Sequence, residues 1–154
     1  MRSSRVFSMA LCLFVMAAAP GCDTNSALTE TVVSIPPHDG VFIHISHGSE
    51  DPHRVLMALK MAEIMAADRD VLVYFDIAGI DVVLADAPDI AFDGFPPSHT
   101  QLTRLQELRV PVFACPGCLK AAGKTPGDLA AGIQVTEKDA FFSFTDGRIL
   151  TLDY

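Results

Sequence analysis

The chain of 154 residues has no tryptophan, only four cysteines, and few basic side chains: 11 Lys and Arg against 19 Asp and Glu. The deficit of positive charge makes nucleic acid and bare anionic lipid poor partners. No proline follows Pro126. With no Trp and no late proline, the chain does not read as a thioredoxin-like oxidoreductase, which carries Cys-x-x-Cys near the start of its fold after a Trp and has a cis-proline segment further on. Only one Cys-x-x-Cys spacing is present, whereas structural zinc usually takes four ligands, so Cys115 and Cys118 make at most half a metal site, with His38, His44, His47, His53 and His99 scattered elsewhere. Asp76, Asp81, Asp86, Asp89 and Asp93 lack the EF-hand spacing and read as a solvated loop rather than a calcium site. Internal repeats and low-complexity segments are absent.

What is present begins with an export signal. Arg2 and Arg5 precede an apolar stretch over residues 6–19, followed by small residues, and the whole is too short for a comfortable membrane span. Residues 1–21 therefore read as a signal peptide. Its end, Ala19-Pro20-Gly21-Cys22, resembles a bacterial lipobox, in which the cysteine is lipidated and becomes the mature N-terminus. It lacks the usual Leu at the first position and carries Pro where Ala or Ser is typical, and ordinary cleavage after Gly21 is the alternative. Asp23 resembles the signal that retains such lipoproteins on the inner membrane. The expectation is a periplasmic protein that meets the membrane only through a lipid on Cys22. Loss of residues 1–21 leaves 9 basic against 19 acidic side chains, a net charge of −10. Residues 22–40, polar and then punctuated by Pro and Gly, read as a tether.

From residue 41 to 154 short apolar strands alternate with helical segments, the pattern of a parallel sheet covered on both faces. Strands are expected at 41–46, 71–76, 110–115, 132–135 and 148–154, giving a three-layer α/β sandwich on a mostly parallel five-stranded sheet. Asp51-Pro52 opens a helix to about Ala67. Ser98 with Gln101, and Thr136 with Asp139, have the capping-box pattern, and Thr125-Pro126 with Asp128 suggests one more short turn. In the first helix the polar residues His53, Lys60 and Glu63 form a narrow stripe, so a long loop or a neighbouring subunit should cover its second apolar side. Met57, Met61 and Met65 read as core packing.

Ligands collect beyond the carboxyl ends of parallel strands. Ser46 to Gly48, Asp76 to Gly79 and Cys115 to Cys118 should meet at that edge. Cys115 closes a strand and a helix should follow, so free backbone N–H groups face the sulfurs and lower the thiol pKa. Lys120 and Lys124 add positive charge. His47 could serve as base or charge partner for a thiolate, whereas His44 should point to one sheet face in a core or subunit-contact role. A plain structural disulfide remains an alternative, although a two-residue gap restrains the unfolded chain little.

The first strand followed by "GSEDPHRVLMALKMAEIMAADRDVLVYF", the segment "LTRLQELRVPVFAC" and the cysteine-bearing turn closing with Gly123 resemble the DsrE/DsrF-like family, the YchN-like α/β fold that includes intracellular sulfur-relay proteins. In the family's sulfur carriers a cysteine ends the third strand and a glycine closes the following short helix eight residues on, which matches Cys115 and Gly123. Other members carry a second cysteine at the position of Cys118. The resemblance implies a carrier that accepts sulfane sulfur as a persulfide on Cys115, with Cys118 resolving it, without metal or organic cofactor. It also implies a sulfur donor or acceptor, protein or small molecule, as partner, and assembly into a homo-oligomer, a trimer or hexamer. The best-understood members are cytoplasmic and feed sulfur to tRNA modification or sulfur oxidation, and an exported protein cannot inherit those partners. The competing reading is a non-catalytic binding or assembly module whose Cys-Pro-Gly-Cys segment is a structural disulfide or a metal half-site.

Overall fold

The structure, a computed structural model, describes residues 37–154. The expected signal peptide, the lipidation at Cys22 and most of the tether lie outside the described residues. Five strands form one sheet: β1 (Gly40–Ile45), β2 (Asp70–Phe75), β3 (Val112–Ala114), β4 (Gln134–Val135) and β5 (Ile149–Asp153). Their order is β4-β3-β2-β1-β5, and every pairing is parallel. Each expected strand is present, shortened or shifted by one to two residues at its ends. The chain joins the fold slightly before residue 41, because Asp39 forms an ion pair with Arg148 and the His38 carbonyl accepts a hydrogen bond from Thr145.

Alternation along the strands sorts side chains onto two faces. Val41, Ile43 and Ile45 stand in register with Val71, Val73 and Phe75, and all six are buried. Helix α1 (Pro52–Met65) lays Val55, Leu56, Leu59 and Ala62 into this face, and helix α2 (Ser98–Glu107) adds Leu102 and Leu105 to the same core. Asp51 caps α1 by accepting the Arg54 N–H, with Pro52 in the first turn, as the sequence indicates. Glu63 bridges Lys60 and, at 3.7 Å, Arg104 of α2, so the polar stripe of α1 is turned toward its neighbouring helix. The chain's own loop packs on the same stripe, where the His53 ring stacks on Phe92 at 4.6 Å and lies against Phe95. Met61 and Met65 pack against the core, as expected, whereas Met57 is half-buried outside it and Ile64 remains exposed.

Two expected caps are corrected. Ser98 is the first residue of α2, not its cap. Its hydroxyl is buried, donating to Asp89 and accepting from the Ile90 N–H, and Asp89 also accepts the His99 N–H at 2.9 Å. A carboxylate nine residues upstream thus fills the role assigned to Ser98 and Gln101. Asp89 is therefore more than a solvated loop residue. Thr136 does not start a helix, because its N–H bonds to the Ala114 carbonyl and extends the β3–β4 ladder. The helix that follows, α4 (Ala140–Ser143), begins after an uncapped Asp139 and is one turn long. The Thr125–Asp128 turn does form, with the Asp128 carboxylate accepting from both the N–H and the hydroxyl of Thr125.

Over the opposite face of the sheet α4 makes a thin third layer. Phe141 packs edge-on against Phe42 and Tyr74. Phe42, His44, Tyr74 and Phe113 stay half-buried there, so this face keeps an aromatic surface beside the strand ends.

Candidate functional site

The three strand-end segments converge. The Gly79 N–H bonds back to Asp76, and a side chain at Gly79 would collide with the Ile45 carbonyl; one at Gly48 would meet the Ala78 carbonyl at 2.7 Å. Only glycine lets the β1 and β2 ends approach this closely. Between Asp76 and Gly79 the chain turns through Ile77, whose φ of 48° is the left-handed region that β-branched residues avoid. Ile77 is also 68% exposed, so burial of its side chain does not account for the conformation. What the turn accomplishes is local: the Ile77 N–H faces the Cys118 sulfur.

Cys115 is the N-cap of helix α3 (Pro116–Ala121), with Pro116 at its first position, and its sulfur accepts the Cys118 N–H at 3.4 Å. Gly123, with φ of 70°, closes the helix. Both cysteines are free thiols and partly exposed. Burial pushes the Cys115 thiol up, but the Tyr74 hydroxyl, the Cys118 N–H and thiol and the Gly117 N–H together outweigh it, and the net effect lowers its pKa. For Cys118 the Ile77 N–H favours the thiolate, while burial, the neighbouring Cys115 sulfur and the Asp76 charge oppose it. The net effect holds Cys118 above the ordinary thiol range. The two sulfurs are thus inequivalent: their surroundings favour the thiolate at Cys115 and the thiol at Cys118.

The lysines contribute less than their sequence position suggests. Lys124 lies 3.9 Å from Asp86, and Lys120 is exposed. His47 lies against the Ser46 hydroxyl, 3.2 Å from Nδ1, and among the described residues no hydrogen bond joins it to either sulfur. His44 is the histidine that reaches the site's charges. Its Nδ1 is 2.8 Å from Asp153 and its Nε2 2.9 Å from Asp76. The solvated-loop reading therefore also fails at Asp76, which is only 19% exposed. Sequence reasoning missed Tyr74, and it placed Asp76 at this edge while reading its carboxylate as solvated; the available signal for Tyr74 was that it alternates with the buried Val73 and Phe75 and ends up on the face that carries Cys115. Among the described residues no three His, Cys, Asp or Glu side chains converge as metal ligands do.

No protein-family model matches the chain, and no curated protein matches it. Solved structures do. The protein of unknown function MTH1491 from Methanobacterium thermoautotrophicum superposes with a TM-score of 0.56 at 19% identity, over 75% of this chain and 99% of that one. The ychN protein from E. coli superposes with a TM-score of 0.51 at 16% identity, again over 75% and 99%. The fold is YchN-like. Identities this low establish architecture alone. The YchN-like sheet accounts for how the thiols come to a rim: parallel strands deliver three connecting segments to one edge.

Proposed function

We propose that the domain is a thiol-based sulfur carrier in which Cys115 bears the transferred sulfur and Cys118 resolves it. The observation that supports this reading is the unequal pair, with a thiolate-favouring Cys115 at an accessible strand-to-helix junction and a proton-holding Cys118 three residues on. The Cys115 thiolate attacks the sulfane sulfur of a donor R–S–SH. A new S–S bond forms, the donor's S–S bond breaks, and its electron pair leaves on R–S⁻. An acceptor thiolate then takes the outer sulfur and Cys115 departs as thiolate. If no acceptor arrives, the Cys118 thiolate attacks the inner sulfur, expels hydrosulfide and leaves a Cys115–Cys118 disulfide, which a dithiol reductant reopens.

The carrier reading extends to export and attachment through a lipid on Cys22, facing the periplasm from the inner membrane, and to a trimer or hexamer. The half-exposed Ile149 and Leu150 of the edge strand β5 and Ile64 of α1 supply apolar surface for such an assembly. Treatment of the reduced protein with polysulfide, followed by peptide mass spectrometry, tests the carrier role. One added sulfur atom is expected on Cys115 and none in Cys115→Ser. Absence of the adduct from both cysteines of the native protein favours the module reading instead, in which the pair is a disulfide or half of a metal site.

A further inference from the structure

The hydroxyl of Thr136 has no part in the carrier step described above. Thr136 is 8% exposed, its Oγ1 is shut off from solvent, and among the described residues that oxygen has no hydrogen-bond partner. A buried hydroxyl left unpaired is unfavourable. Its place is fixed by the sheet, because backbone bonds carry the ladder one row past the strands: the Thr136 N–H bonds to the Ala114 carbonyl, the Cys115 N–H to Phe75 and the Asp76 N–H to Ile45. With Ala114 paired to Val135 on one side and to Phe75 on the other, the next row sets Thr136 and Asp76 on either side of Cys115. Neighbouring strands lie about 4.8 Å apart. Ala114 and Val135 turn toward the core, so Cys115 and Thr136 turn together to the opposite face, which also carries Tyr74.

Loading moves negative charge by one atom. The Cys115 thiolate carries it on Sγ, which already accepts the Cys118 N–H at 3.4 Å. As Cys115 attacks R–S–SH, the new S–S bond forms, R–S⁻ leaves with the electron pair of the broken bond, and the resulting persulfide gives its proton to water. The sulfane sulfur keeps its oxidation state, so no oxidant enters. The charge now rests on the outer sulfur, about 2 Å beyond Sγ. On the β2 side of the row stands the Asp76 carboxylate, a like charge engaged with His44 at 2.9 Å. On the β4 side stands a hydroxyl with nothing to bond.

We propose that Thr136 is a residue of the carrier site that holds the transferred atom: its hydroxyl donates a hydrogen bond to the outer sulfur of the Cys115 persulfide. The inference deepens the carrier reading and rests on it. Oγ1 is closed to solvent, yet a sulfur bonded to the adjacent residue reaches it from within the row.

The test uses the full chain carrying Cys118→Ser, so that no disulfide discharges the persulfide. Sulfur is equilibrated between Cys115 and glutathione, supplied as glutathione persulfide, and the loaded fraction is read by peptide mass spectrometry. Thr136→Val should lower the equilibrium constant for loading by about three- to tenfold, the effect of one lost hydrogen bond, while Thr136→Ser, which keeps the hydroxyl, stays within about twofold of the unsubstituted Thr136. Iodoacetamide should alkylate the unloaded Cys115 at the same rate in all three, and the melting temperature of Thr136→Val should not fall, because the hydroxyl it removes has no partner in the fold. Thr136→Ala serves if valine is not accommodated. Equal loading in Thr136→Val overturns the proposal, as does a Thr136→Ser chain that behaves like Thr136→Val. A loss of loading matched by equally slow alkylation overturns it too, since the hydroxyl would then act on Sγ. If Cys115 takes no sulfur even with Thr136 intact, the carrier reading itself fails; normal loading that ignores Thr136→Val removes only the role of Thr136.

Discussion

Tyr74 on β2 and Cys115 at the end of the adjacent β3 face each other, hydroxyl beside sulfur, and each changes the other's hold on its proton. The tyrosine helps to draw the thiol's pKa down. Burial, and then the thiolate, drive the phenol's pKa far up, so Tyr74 remains a neutral donor wherever the sulfur ionises. Tyr74→Phe keeps the ring against Phe42 and Phe141 and removes only the donor. Its expected effect is an upward shift of the Cys115 titration and about three- to tenfold slower reaction with iodoacetamide near neutral pH, with a melting temperature close to that of the parent. Unaltered thiol reactivity would show that the backbone amides alone stabilise the sulfur.

His44 makes a second expectation. Its folded pKa lies above the unfolded value of 6.5, because Asp153 and Asp76 together outweigh burial. The protonated ring thus stabilises the fold fully below about pH 6.5, and this contribution is lost as pH rises through the folded value. Urea unfolding between pH 5.5 and 8.5 should show a decline in stability over the upper part of that range which His44→Gln flattens. The same decline in the variant would remove His44 as its cause.

Ile77 supplies a third. A β-branched residue at φ 48° costs on the order of 1–2 kcal/mol. Ile77→Gly removes that strain while retaining the N–H toward Cys118, and because the side chain is largely exposed little packing is lost. The midpoint of chemical unfolding should therefore rise, or at least hold against the entropy that glycine adds to the unfolded chain. A fall of 2 kcal/mol or more, read as about the cost of a lost buried contact, would mean that the Ile77 side chain packs in solution.

The strands and α1 were legible because their signals are local: β-branched alternation, and Asp51-Pro52 at the helix start. The position of Cys115 was legible for the same reason, since one residue both ends a strand and caps a helix. The start of α2 was not, because its cap is Asp89, brought in by a loop that no spacing rule connects to Ser98. Thr136 misled because its N–H was already committed to the ladder, and a capping pattern is only an offer when the donor is free. The site's polar surroundings were hidden differently. Whether His44 or His47 reaches the sulfurs' charges depends on which strand lies beside which, and β5, 109 residues away, contributes Asp153. The lysines beside the motif drew attention by sequence distance, while the hydroxyl that acts on the sulfur comes from the neighbouring strand.

Because all five strands run the same way, the polypeptide arrives at one pole of the domain and the thiols lie at the other. The Asp39–Arg148 pair marks the arrival point, where β1 and β5 begin side by side. Six strand residues at ~3.3 Å each separate it from the rim by roughly 20 Å. Residue 37 and the two sulfurs therefore lie toward opposite ends of the strands, and whatever reaches the thiols approaches from the side away from the chain's entry.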